Sequence, residues 1–228
     1  GAPTFIVNVT ESPNYPGEVN VREFVSIWNQ AWFSSLRSAA GLYRYAQRTG
    51  NESLREKANL TKEFALAAPM HDGIFPGVYR TQMTQIEIDG KLYTRSAGWE
   101  TGYWTNSNRT PRERGISDAW YHILDASWTA LLMLRWYTEL DADPRLLAYS
   151  QTYAERLLTL QDEQGFFPAW LHPETFTPAE ALQQSPETSM SVTFLLKLAE
   201  ITGDERYRQA ALRAMEAVLI EIVPNGRW

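Results

Sequence analysis

The sequence contains no cysteine, which removes disulfide frameworks, thiolate metal sites and cysteine nucleophiles together. That absence leaves the redox compartment undetermined. Histidine is nearly as scarce: His71, His122 and His172 are scattered, and no His-x-x-x-His or Glu-x-x-His pair falls on a predicted helix. No metal site and no cofactor are therefore expected. A glycine-rich phosphate loop and a Gly-x-Ser-x-Gly nucleophile elbow are also missing. No block of five Lys or Arg occurs, and the net charge over 228 residues is −6, so nothing attracts a phosphate backbone and nucleic acid is not an expected partner. No apolar run approaches the roughly 20 residues that cross a bilayer, and Gly1-Ala2-Pro3-Thr4 does not open like a secretion signal. Asn-X-Ser/Thr triplets at Asn8, Asn51, Asn59 and Asn108 arise by chance in polar sequences and carry little weight.

A content of 44% hydrophobic and 21% charged residues is an ordinary globular mixture. Aromatic residues stand out, with 9 Trp, 11 Tyr and 9 Phe; such side chains serve cores first and stacking on sugar rings second.

An internal repeat runs through the chain. Thr49-Gly50-Asn51-Glu52 precedes Gly73-Ile74-Phe75-Pro76, and Thr202-Gly203-Asp204-Glu205 precedes Gly226-Arg227-Trp228; Gly50 to Gly73 and Gly203 to Gly226 are each 23 residues. A middle copy runs from Asp143-Pro144 to Gly165-Phe166-Phe167-Pro168. Asn51, Asp143 and Asp204 suit helix N-caps, and Pro144 suits a first helical position. Apolar-periodic stretches at 21–48, 118–140 and 187–201 precede these caps, so each copy reads as helix, tight turn, helix. The first helices are expected to be inner, because 118–140 is apolar nearly all round. The second are expected to be outer, because 205–221 sets Arg206, Arg208, Gln209, Arg213 and Glu216 against Tyr207, Ala211, Met215 and Leu219.

The result is an all-α chain of three hairpins, at about 21–68, 118–161 and 187–222, after an extended segment 1–20. The short turns lie on one face and the long loops 69–117 and 161–186 on the other, where function is expected. A β-hairpin is predicted at 85–94 around Asp89-Gly90, and a strand at 4–9.

The run Gln161-Asp162-Glu163-Gln164-Gly165-Phe166-Phe167-Pro168-Ala169-Trp170, closing a helix, resembles hairpin ends of the α/α-toroid (six-hairpin glycosidase-like) proteins and related polysaccharide lyases. It is also similar to the Gln-x3-Gly-x-Trp element of triterpene cyclases, with Phe in the last place. The resemblance covers 21–228 as a fold pattern and singles out no one enzyme family. It implies an oligo- or polysaccharide partner, a bacterial periplasmic or extracellular setting, and an (α/α)6-type ring of about six hairpins. Three hairpins then form an incomplete ring, with further chain expected to complete it.

Glycoside cleavage needs two carboxyl groups in different environments. Asp118, His122, Asp125 and Thr129 fall at spacings of four, three and four, on one stripe if the helix is continuous. Asp125, deeper among aromatics, is the candidate acid, with Asp118 its ionised counterpart and the group that orients His122. Glu187, at the start of the third inner helix, is a candidate base or ligand. The structural alternatives are a cap for Asp118, a satisfied core histidine for His122, a buried acceptor for Asp125, and a dipole-complementing acid for Glu187. Trp99, Glu100, Tyr103, Trp104, Asn106 and Arg109 alternate flat rings with amides and charges, a sugar-binding pattern that a self-packed loop also produces; Trp120 and Tyr121 extend the set.

The leading expectation is a glycoside hydrolase-like protein. A polysaccharide lyase would use Tyr103, Asn106, Arg109, Tyr121 and His122 for proton abstraction and carboxylate stabilisation. A noncatalytic glycan-binding or scaffold module stands as a third reading. A class II terpene cyclase fits less well, since Asp141-Ala142-Asp143-Pro144 lacks the last acid of Asp-x-Asp-Asp.

Overall fold

A computed structural model of the chain describes residues 26–28, 35–106, 115–117, 119–180 and 182–226. Among the described residues six α-helices form three hairpins: α1 (Ser35–Thr49) with α2 (Glu52–Leu66), α3 (Ile123–Glu139) with α4 (Pro144–Thr159), and α5 (Thr188–Thr202) with α6 (Glu205–Ala217). Each second helix starts as its cap residue dictates. Asn51 Oδ1 accepts from Leu54 N at 3.2 Å, Asp143 Oδ1 from Arg145 N at 3.0 Å, and Asp204 Oδ1 from Arg206 N at 2.9 Å. Gly203, with φ +72, ends α5 in the left-handed conformation that a glycine adopts without penalty.

The layers follow from burial. Helix α3 buries residues on all sides, from Ile123 through Trp136, and packs on α1 and α5 as well as on α4. Helix α6 buries one stripe, Tyr207, Ala210, Ala211, Ala214 and Ala217, and leaves the opposite side in water. The fold is thus a set of α/α-toroid hairpins with inner and outer helices. Among the described residues no helix is long and apolar enough to cross a membrane.

Strands decorate the long-loop side. The predicted hairpin is present as β3 (Met83–Ile88) and β4 (Lys91–Ser96), with Asp89 at φ +51 and Gly90 at φ +73 in its two-residue turn. A second sheet has the order β1 (Ser26–Trp28), β2 (Val78–Arg80), β5 (Tyr103–Thr105), and β6 (Tyr121–His122) pairs with β7 (Trp170–Leu171); all pairings are antiparallel. The expected strand at 4–9 lies outside the described residues.

Two helix starts differ from the sequence expectation. The first inner helix, described over Ser35–Thr49, does not reach back to 21, because Ser26–Trp28 is drawn into backbone pairing with Val78–Arg80. The second begins at Ile123 rather than 118, because His122 is extended (φ −100, ψ 112) opposite Trp170 and Ile123 N donates to Ala169 O at 2.9 Å. Non-local pairing overrides helical periodicity at both places.

The repeat glycines are contact points between hairpins. A Cβ on Gly73 (φ +76) would lie 2.5 Å from Arg156 Cβ and 3.1 Å from Thr152 O of α4, and one on Gly165 (φ +105) would lie 2.8 Å from Arg213 O of α6. Gly50 shares the positive φ, +67, with open space around it. Gly50→Ala therefore costs about 1 kcal/mol of backbone strain, whereas Gly165→Ala adds an overpacking penalty for a total of roughly 2–4 kcal/mol. Urea unfolding of the two variants checks this, and equal losses would show that the close approach is not real.

Candidate active site

The loop from Phe166 to Leu171 stitches two inner-helix starts together. Ala169 O receives Ile123 N at the start of α3, and Phe167 exchanges two hydrogen bonds of 3.1 Å with the Thr188 hydroxyl at the start of α5. Ahead of α5, Ser185 Oγ accepts from Glu187 N at 3.2 Å within the turn that leads into the helix, and Glu187, the residue before its first turn, reaches His122. Beneath, Ser127 Oγ of α3 lies 2.8 Å from the Tyr153 hydroxyl of α4 and 2.9 Å from Ser191 Oγ of α5. This buried polar junction pins three helices under one point.

At that point His122 bridges two carboxylates. Its Nδ1 is 3.0 Å from Asp125 Oδ2 and its Nε2 is 3.0 Å from Glu187 Oε2. The indole of Trp170, the cross-strand neighbour of His122, stacks on the imidazole at 4.0 Å with planes 8° apart. Burial, the largest single influence, pulls the imidazole pKa down; the hydrogen bonds and charges of Asp125 and Glu187 more than reverse it, to about 9. At neutral pH the ring is a cation that donates from both nitrogens and lies against the negative face of an indole. Exposure is graded along the bridge: the Asp125 side chain is 9% exposed, His122 15% and Glu187 33%. Only the Glu187 end meets solvent substantially.

Three of the four sequence-derived catalytic candidates, His122, Asp125 and Glu187, are thus brought together, and Asp118 lies outside the described residues. The expected helical stripe needs correction, since His122 precedes the helix. Asp125 reaches it from the third helical position, as a capping-box acid reaches back to its cap residue.

The expected sugar-binding set divides. Trp99 (39% exposed) stacks on Tyr79 at 6.5 Å, and Trp104 stacks on Phe64 of α2 at 5.0 Å, so with Glu100 and exposed Tyr103 they form an aromatic patch over the first hairpin. Asn106 commits its amide to the backbone, donating to Ala119 O at 2.9 Å and accepting from Gly77 N at 3.4 Å; it ties that patch to the approach of β6. Trp120 meets His172 edge-on at 4.9 Å, and Tyr121 stacks on Phe176 at 5.7 Å, beside the bridge in sequence. Arg109 lies outside the described residues.

Sequence reasoning missed Trp170 as a site residue, because its segment reads as a structural turn and only the β6–β7 register sets it over His122. Among the described residues no group of three or more His, Asp or Glu is arranged to hold a metal ion. A cleft of about 350 Å³ lies between α3 and α5, lined by Leu131, Arg135, Glu139, Thr193, Leu196, Lys197 and Glu200. It sits toward the C-terminal ends of both helices, away from the bridge.

No protein-family model and no curated protein matches the chain. Solved structures do. An unsaturated glucuronyl hydrolase specific for heparin superposes with a TM-score of 0.58 at 11% identity over 86% of this chain and 47% of its own. The unsaturated glucuronyl hydrolase of Bacillus sp. GL1 gives 0.56 at 14% over 90% and 49%, and the cellobiose 2-epimerase of Spirochaeta thermophila gives 0.56 at 12% over 88% and 45%. At such identities the likeness establishes the α/α-toroid fold. The chain spans about half the length of each of these structures.

The bridge predicts a pH signature of stability. An unfolded histidine titrates near 6.5 and the folded one at about 9, so the stabilisation is fully present below about 6.5. It is lost as pH rises through the folded value, by about 3 kcal/mol at most. Urea unfolding at pH 6 and pH 10 should show the native chain losing more stability than His122→Gln; matching losses would refute the bridge.

Proposed function

We propose that this chain carries part of the active site of a carbohydrate-active enzyme of the toroid class, glycoside hydrolase-like in its chemistry, with Glu187 as the residue that meets the substrate. The supporting observation is the Asp125–His122–Glu187 bridge at the junction of two inner helices and a long loop. The glucuronyl hydrolases and the cellobiose 2-epimerase among the similar structures agree in substrate class.

The bridge works from the inside outward. Asp125, buried, fixes the imidazole orientation through Nδ1; Trp170 fixes its plane; the imidazolium holds one oxygen of Glu187 through Nε2. Glu187 presents its carboxyl group to solvent, positioned to take a proton from an attacking water or to exchange one with a sugar oxygen. In this reading His122 and Asp125 are positioning residues. The complementary carboxyl group is assigned to Asp118, four residues before His122. Trp99, Tyr103, Trp104 and Trp120 supply flat surfaces along which a glycan extends, with Glu100 and Arg109 for its hydroxyl groups, while Tyr121, buried against Phe176, backs them.

The lyase alternative is weaker on two counts. Of its candidate bases, Tyr103 belongs to the aromatic patch over the first hairpin; of the two at the bridge, His122 is kept protonated by the two carboxylates, and burial raises the Tyr121 pKa. Neither group is a free base near neutrality.

The test is turnover on a panel of oligosaccharides that includes chains ending in an unsaturated uronate. Glu187→Gln should lower kcat by about 10²–10⁴-fold with circular dichroism unchanged. Asp125→Asn should lower it less and shift the alkaline limb of the pH profile. New ultraviolet-absorbing unsaturated product would establish a lyase instead. Saturable binding of a glycan that is recovered unchanged would establish a binding module.

A further inference from the structure

The cleft between α3 and α5, about 350 Å³ in volume, is of the size that small-molecule sites occupy. Leu131 follows Asp125 by six residues and Thr193 follows Glu187 by six, so the cleft begins about 9 Å along both helices from the bridge and extends away from it. Its charged groups are not equivalent. Glu139 is held by Arg44 of α1, and Glu200 by Lys197 at 3.0 Å. Arg135, by contrast, is exposed and has no hydrogen-bond, ion-pair or ring partner among the described residues. The arginines of α2, α4 and α6 each hold a carboxylate or, for Arg213, the Asp162 carbonyl.

An unengaged guanidinium at the side of a cleft offers a two-pronged donor that matches a carboxylate. Lys197 has three ammonium donors and spends one on Glu200, so it brings a second positive charge to the same group. Acceptors surround these cations. Thr193 donates its hydroxyl proton to Ser189 O at 3.0 Å and is left able only to accept, and Glu139 and Glu200 each keep lone pairs beyond their ion pairs. Leu131 and Leu196, the latter 40% exposed on an inner helix, make the apolar part of the wall. The molecule that uses all of these has a carboxylate, hydroxyl donors and a compact C–H face. An inorganic anion leaves the leucines unused, and a neutral sugar leaves the cations unused.

We propose that this cleft binds a small polyhydroxy carboxylate of monosaccharide size, with Arg135 gripping the carboxylate and Thr193 accepting from a hydroxyl group. The site is separate from the bridge, and the proposal is independent of the assignment of Glu187.

The test titrates the 228-residue chain with glucuronate, gluconate, glucose, butanoate and inorganic phosphate, read by calorimetry and by the methyl resonances of Leu131, Thr193 and Leu196. Glucuronate, gluconate or both should bind, which separates a ring from an open chain as the body of the ligand. The cleft methyl groups should move while those of Ile123, beside the bridge, stay. Glucose, butanoate and phosphate should each bind about tenfold or more weakly than the better sugar acid. Arg135→Gln should weaken that sugar acid by about tenfold or more, and Leu196→Trp, which fills the cleft from an exposed position, should abolish binding. Both replace exposed side chains and should leave the melting midpoint unchanged. Glu187→Gln should bind as the native chain does. Binding of neither sugar acid overturns the proposal, as does binding indifferent to Arg135→Gln and Leu196→Trp, equal binding of any of the other three probes, or loss of binding with Glu187→Gln.

Discussion

The contact on which the rest of the arrangement depends is the one between successive hairpins, where the cap of one outer helix is gripped by the side of the outer helix before it. A hairpin of this type has apolar surface on more sides than its two helices can cover for each other, so neighbours must supply the remainder. The two Arg–Glu forks, Arg145 of α4 onto Glu63 of α2 and Arg206 of α6 onto Glu155 of α4, are exposed, and exposed ion pairs of this kind contribute little energy. Their part is to set register: a bidentate fork admits one rotation and one height. The burial of Leu66, Leu158, Tyr153 and Tyr207 then supplies the stabilisation. Lys62 adds a second tie at the first junction. Buried on α2, it reaches Asp143 at 2.8 Å and Asp141 at 3.3 Å, and these carboxylates keep it charged against the pull of burial.

From that register follows the position of the bridge. With α3 and α5 fixed side by side, their N-termini present His122 and Glu187 to each other, and the Ser127–Tyr153–Ser191 junction prevents the two helices from sliding. A shift of one helical turn would carry Glu187 about 5 Å from the imidazole. The chemistry proposed for this site is therefore as exact as the packing beneath it, and the residues that guarantee that packing lie well away from the carboxylates.

The parts of this legible in the sequence were those with local causes. Asn51, Asp143 and Asp204 cap helices because each needs only its own next few residues, and Asp89-Gly90 turns a hairpin for the same reason. The inner and outer character of α3 and α6 also showed, since burial on all sides leaves no polar stripe. What did not show depends on pairings across the long loops. Helix α3 starts at Ile123 because Trp170 lies opposite His122, and nothing within ten residues of His122 signals that partner. The same ladder explains why Asp125 and Glu187 were separately visible as acids while the imidazole between them was read as one point on a helical stripe.

The β6–β7 ladder also sets an order of assembly. Helical hairpins and contacts between adjacent hairpins close short loops and form early. The pairing of Tyr121 and His122 with Trp170 and Leu171 instead joins residues nearly 50 apart, and it gains little until α3 and α4 are already packed. The imidazole acquires its indole neighbour and its second carboxylate only then. Helices that had paired without this ladder would hold His122 apart from its indole neighbour, so the groups of the candidate site depend on the contact that topology closes last.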